Sequence, residues 1–148
     1  MYLLYRHLVP VYFFVLRIAA WFRTDAKEWV EGRKNWKRDL LQFTEINPLP
    51  NSKRIWMHVA SLGEFEQGRV LLESIRLKHP EHQIVLSFFS PSGYNKQKKY
   101  DKVDYVCYFP SDCYWEIRDF IACLNPVSYT HLRAHETDSY LVCRLLLE

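Results

Sequence analysis

Residues 54–69 read RIWMHVASLGEFEQGR, and the fold turns on how this stretch divides. Residues 54–60 (RIWMHVA) form a short apolar run of high β-propensity, suited to a parallel strand buried on both faces. Residues 64–79 then place Gly68, Leu71, Leu72 and Ile75 at helical spacing, and Pro80 ends the pattern. The same cycle repeats downstream. Residues 83–89 (QIVLSFF) predict a second buried strand, residues 91–100 a polar helix opened by Ser90 and Pro91, and residues 104–108 (DYVCY) a third strand. Residues 113–124 predict a third helix. Strand and helix alternating at this length imply βαβ units and an α/β, Rossmann-like parallel sheet, with ligands at the carboxyl ends of the strands. No G-x-G-x-x-G and no Walker loop occurs, which argues against a dinucleotide or P-loop nucleotide site.

The 148 residues, 49% hydrophobic and 25% charged, suit one compact domain and exclude a disordered or collagenous chain. The formal charge of +3 is too small to argue for a nucleic-acid partner. Its distribution is uneven. Residues 1–44 hold eight basic side chains (Arg6, Arg17, Arg23, Lys27, Arg33, Lys34, Lys37, Arg38) against four acids, whereas residues 45–126 are neutral. Four cysteines (Cys107, Cys113, Cys123, Cys143) form no C-x-x-C pair and no Cys/His spacing of a zinc site, so a reduced chain without metal or cofactor is expected.

Residues 1–22, MYLLYRHLVPVYFFVLRIAAWF, are rich in Leu, Val and aromatic residues but interrupted by Arg6, His7, Pro10 and Arg17. A spanning helix needs roughly 20 mostly apolar residues, so a snorkelling anchor and an interfacial helix both suit this segment, with a buried soluble helix as the other reading. The basic residues that follow, Arg33 and Lys34 among them, would then lie on anionic headgroups at the cytoplasmic face.

Two strand-to-helix loops fall on the expected functional edge: Ala60-Ser61-Leu62-Gly63-Glu64 and Ser90-Pro91-Ser92-Gly93. Exposed N–H groups at a helix start hold phosphate or carboxylate, and glycine lets a ligand approach. Glu64 is a candidate general base. Ser61-x-x-Glu64 is also a capping box, in which the two side chains satisfy helix-end donors, and both readings stand on spacing alone. His58, within a strand, reads as a core histidine.

The runs GRKNW (residues 32–36), IWMHVASLGEFEQGR (55–69), SFFSPSGY (87–94) and VCYFPSD (106–112), in this order and spacing, resemble the N-terminal half of 3-deoxy-D-manno-octulosonic acid (Kdo) transferases. The resemblance implies the first Rossmann-like domain of a two-domain GT-B glycosyltransferase, preceded by a membrane-associated helix at the cytoplasmic face of the bacterial inner membrane. It implies an inverting enzyme that moves Kdo from CMP-Kdo to the lipid A precursor, with Glu64, in the family's S-x-G-E motif, as general base. Ser61, Gly63, Ser92, Gly93, Arg33 and Lys34 become the expected acceptor-binding residues. A non-catalytic, membrane-tethered phosphate-binding or interaction module is the competing function.

The expected organisation is an anchor at 1–22, a basic helical linker at 23–52, a partial acceptor domain at 53–126 and a tail at 127–148. The resemblance stops near Pro126. Beyond it, VSYTHLRAHETDSYLVCRLLLE resembles translated adapter sequence rather than the family's continuation, so Glu136 is not equated with a site residue and the nucleotide-binding half is expected to be missing, leaving the chain inactive by itself.

Overall fold

The computed structural model describes residues 18, 21, 23–48, 53–111, 114–126 and 128–132. Two helices come first, α1 (Thr24–Glu31) and α2 (Trp36–Ile46). They precede β1 (Arg54–Val59), α3 (Leu62–Lys78), β2 (Gln83–Phe88), α4 (Pro91–Gln97), β3 (Tyr105–Tyr108), α5 (Tyr114–Leu124) and β4 (Ser128–Leu132). All four strands are parallel, in the order β3-β2-β1-β4. Registers run Arg54↔Gln83 to Val59↔Phe88, Val85↔Tyr105 to Phe88↔Tyr108, and Ile55↔Ser128 to Val59↔Leu132.

The period of two in the strands builds two cores, because successive side chains leave opposite faces of the sheet. Met57 and Val59 of β1 and Ile84, Leu86 and Phe88 of β2 pack with Phe65 and Leu72 of α3. Trp56, Val85 and Cys107 pack on the other face with Leu40 of α2 and Phe120 and Leu124 of α5. A parallel sheet covered on both faces explains the unbroken apolar runs at 55–59 and 84–88.

Most predicted elements are present, with shifted ends. α3 begins at Leu62 rather than Glu64, because Ser61 takes the N-cap position. α4 stops at Gln97 rather than reaching Tyr100, whose ring instead turns edge-on to Phe65 and whose hydroxyl donates to Glu73 at 2.9 Å. Asp104 stays outside β3, and its carboxylate accepts the Ile84 N–H at 2.6 Å where a strand carbonyl would otherwise do so. Residues 23–52 were expected to be a linker, yet α2 lies within the domain: Leu40 is 1% exposed, with Trp36 and Phe43 packed beside it. The apolar positions 36, 40 and 43 share a helix face, which outweighs the basic residues between them. The sheet also carries on past Pro126, since β4 belongs to the stretch set apart as a tail.

Two buried arginines close the sheet at opposite ends. Arg54, at the amino edge, donates to the Leu124 carbonyl at 2.7 Å, to the Asn47 carbonyl at 3.3 Å and to the Gln83 Oε1 at 2.8 Å. Arg33, at the carboxyl edge, donates to the carbonyls of Phe89 at 2.6 Å, Phe109 at 2.8 Å and Trp29 at 2.9 Å. Its guanidinium also lies 3.8 Å from the Trp29 ring centroid and near Phe89 and Tyr108. Gly32 lets this segment approach, since a Cβ there would fall on the Tyr108 ring.

No helix among the described residues is long and apolar enough to cross a membrane. The expected anchor at 1–22 lies outside the described residues, apart from Ile18 and Trp21, as do residues 133–148.

Candidate functional site

In the order β3-β2-β1-β4 the chain moves outward from β1 to β3 and then crosses back to the far side of β1. The switch point is therefore between β1 and β4, and open α/β sheets bind ligands in the crevice at the carboxyl ends beside such a point. The loop that leaves β1 there is Ala60-Ser61-Leu62-Gly63-Glu64.

The Ser61 Oγ accepts the Glu64 N–H at 3.4 Å, as a helix N-cap does. Glu64 returns the bond one residue further back than a regular capping box: its Oε2 accepts the Ala60 N–H at 2.6 Å. Its other oxygen, Oε1, has no hydrogen-bond partner among the described residues. Glu64 is half-buried. The carboxylate is thus held by one oxygen and available through the other, so capping and proton acceptance use different atoms.

The second loop sits against the first. Ser90 N–H donates to the Ala60 carbonyl at 3.0 Å, and Phe89 N–H to the Val59 carbonyl at 3.1 Å. Ser90 caps α4 by accepting the Gly93 N–H at 3.3 Å, and its Oγ lies 3.2 Å from that of exposed Ser92. The two glycines differ. A Cβ on Gly93 would stand 2.5 Å from Phe88 Cδ1 and 3.3 Å from the Leu62 nitrogen, so this glycine is required by packing between the loops. A Cβ on exposed Gly63 would meet only the Ser61 Oγ, at 3.9 Å, so nothing within the described chain excludes a side chain there.

The expected base Glu64 and, of the expected acceptor residues, Ser61, Gly63, Ser92 and Gly93 lie on these two adjoining loops. Arg33 differs from its expected place on a headgroup surface: it is 7% exposed and its guanidinium is turned inward onto three carbonyls at the ends of α1, β2 and β3. A buried guanidinium surrounded by acceptors stays there because leaving it unpaired would be costly. Lys34 is exposed, and no hydrogen bond or ion pair joins it to these loops among the described residues.

His58 is buried, as a core histidine would be. Trp56 Nε1–H donates to the Ser87 Oγ at 2.9 Å, and that hydroxyl in turn reaches His58 Nδ1 at 2.9 Å. Cys107 and Cys123 are free thiols, and burial pushes Cys107 up to about 12. The reading of the sequence missed the inward role of Arg33, which no local pattern signals. It also missed a His79-x-Glu81-His82 cluster at the other end of α3, whose ligand pattern contains no cysteine.

Together these features define a doubly wound α/β domain with a carboxylate and paired loops at its switch-point crevice. The chain belongs to the family of 3-deoxy-D-manno-octulosonic-acid transferase (Kdo transferase) N-terminal domains, whose model matches residues 34–134. The match takes in α2, both crevice loops and β4. Neither a curated protein nor a solved structure matches the chain significantly.

Proposed function

We propose that the chain forms the acceptor-binding domain of an inverting, GT-B-type Kdo transferase that moves Kdo from CMP-Kdo to the lipid A precursor (lipid IVA). In this reading a second domain binds the CMP donor. Residues 1–22 associate with the bacterial inner membrane, and Lys34 with its basic neighbours faces the anionic acceptor at the cytoplasmic surface. Arg33 acts only through the loops it fixes.

The observation that carries the reading is the Glu64 carboxylate beside the switch point, whose Oε1 has no hydrogen-bond partner among the described residues. A glucosamine hydroxyl of the acceptor placed against Oε1 gives up its proton to the carboxylate. The oxygen then attacks the anomeric carbon from the face opposite CMP, the bond from that carbon to the CMP oxygen breaks, and CMP leaves with the electron pair. One displacement inverts the centre. Ser61, Gly63, Ser92 and Gly93 line the approach, and helix-end N–H groups of α3 face an anionic acceptor group.

The test is Glu64→Gln in a two-domain enzyme that carries this N-terminal domain, assayed for Kdo transfer from CMP-Kdo to lipid IVA. Glutamine keeps an oxygen for the Ala60 N–H but is a very poor base. A fall of 100-fold or more, within the range of about 10²–10⁴ typical of general-base catalysis, is expected. Near-normal turnover with an intact fold would leave Glu64 as a cap only and place the general base elsewhere.

A further inference from the structure

The turn between α3 and β2 carries His79, Glu81 and His82, with one ligand atom of each within 4.8 Å of the others. The Nδ1 atoms of His79 and His82 lie 3.7 and 3.1 Å from the same Glu81 oxygen, Oε1. For metal–ligand bonds of 2.0–2.2 Å, the edge of a tetrahedron is about 3.3–3.6 Å, so the two separations bracket what a tetrahedral ion needs. The imidazoles stack with centroids 5.1 Å apart at 10°.

A second observation concerns His82. Its Nδ1 is buried and makes no hydrogen bond, because the 3.1 Å approach of Glu81 lacks hydrogen-bond alignment. A buried polar atom without such a partner calls for an explanation, and a bound ion is one.

We propose that His79, Glu81 and His82 form a site for a divalent transition-metal ion, Zn²⁺ foremost. Two imidazoles and one carboxylate are a zinc donor set that leaves a fourth position for water. Mg²⁺ and Ca²⁺ prefer six or more oxygens and are poorly served here.

The turn is already fixed in shape. His79 N–H donates to the Ile75 carbonyl at 2.9 Å and His82 N–H to the His79 carbonyl at 3.2 Å. Arg76 donates to the carbonyls of Pro80 at 3.2 Å and His82 at 2.9 Å, and its positive charge is answered by Asp104. The seventeen residues of α3 span about 25 Å, which separates this site from Glu64, so the ion fastens the far end of α3 to the start of β2 and takes no part in the proposed transfer.

Calorimetric titration of the purified chain with Zn²⁺ at about pH 7.5 tests the site, since metal binding requires deprotonated ligands and weakens in acid. One ion per chain is expected, with affinity at least tenfold weaker in a His79→Ala/His82→Ala variant of unchanged circular dichroism. Co²⁺ loaded in place of Zn²⁺ is expected to show visible d–d absorption that the double variant loses. Zinc affinity unchanged in the double variant, or no binding by the parent chain, would overturn the proposal and leave only a histidine–glutamate ion pair. Transfer by the two-domain enzyme does not enter this outcome.

Discussion

Glu64 and Ala60 are joined by a 2.6 Å hydrogen bond from the Ala60 N–H to Oε2, which ties the last residue of the β1 exit to the first turn of α3. The bond fixes the carboxylate in the crevice. It also separates two roles of one side chain, because Glu64→Ala removes both the acceptor for Ala60 and the free oxygen, whereas Glu64→Gln removes chiefly the basicity. In urea denaturation, Glu64→Ala is expected to lose about 1 kcal/mol, the usual scale for a helix cap, and Glu64→Gln distinctly less. Equal losses for the two variants would sink the assignment of Oε2 as a cap.

The two crevice glycines respond in opposite directions. Gly63→Ala meets no atom of the described chain closer than 3.9 Å and replaces a helix residue of low propensity, so stability is expected to be unchanged or to rise by up to about 1 kcal/mol. In the two-domain enzyme the same change is expected to raise the acceptor KM if the acceptor docks over Gly63 as proposed. Gly93→Ala places a carbon 2.5 Å from Phe88 and is expected to destabilise by about 1–3 kcal/mol. Equal thermal midpoints for Gly93→Ala and the parent would contradict this packing.

Arg33→Lys is expected to be almost as damaging as Arg33→Ala. A lysine has no planar fork to reach three carbonyls at once, and it stacks less well on Trp29. A loss of about 3 kcal/mol for either variant is expected in chemical denaturation, from charge-assisted hydrogen bonds that leave buried carbonyls unpaired. Full rescue by lysine would show that charge alone matters at this position.

Alkaline pH is expected to destabilise the fold. Burial raises Tyr94, Tyr100, Tyr105 and Tyr108 above their ordinary 10.0, Tyr108 to about 12, and Cys107 above 9.0. The folded chain keeps these protons where the unfolded chain releases them, so the stabilisation is whole below about pH 9 and is lost as pH rises through the folded values. Urea midpoints measured from pH 8 upward are expected to stay level and then fall, less steeply in Tyr100→Phe. A midpoint that rises above pH 10 would refute the sign.

The strands were legible because their apolar runs at 55–59 and 84–88 are what a sheet covered on both faces demands. Ser61 and Glu64 were legible as a pair because capping chemistry is local. Strand order was not, since the pairing of Ser128–Leu132 beside β1 joins segments some seventy residues apart and leaves no local trace. The helical face of Trp36, Leu40 and Phe43 was present in the sequence but masked by the charges around it. The histidine cluster was also present, as H-x-E-H at 79–82, but such a short polar run is ordinary for a surface turn. Arg33 was misplaced for a deeper reason: the carbonyls that receive it belong to strand ends whose meeting depends on the completed sheet.

That dependence has a kinetic side. Arg33 reaches Phe109 across 76 residues and Arg54 reaches Leu124 across 70, so neither clasp can close until most of the chain between has been threaded into place. A contact made after the folding nucleus affects mainly the unfolding rate when lost, and loss of either arginine is expected to show as faster unfolding with little change in the folding rate. The two arginines therefore act as latches on the finished domain, setting how long it lasts once folded rather than how readily it is reached.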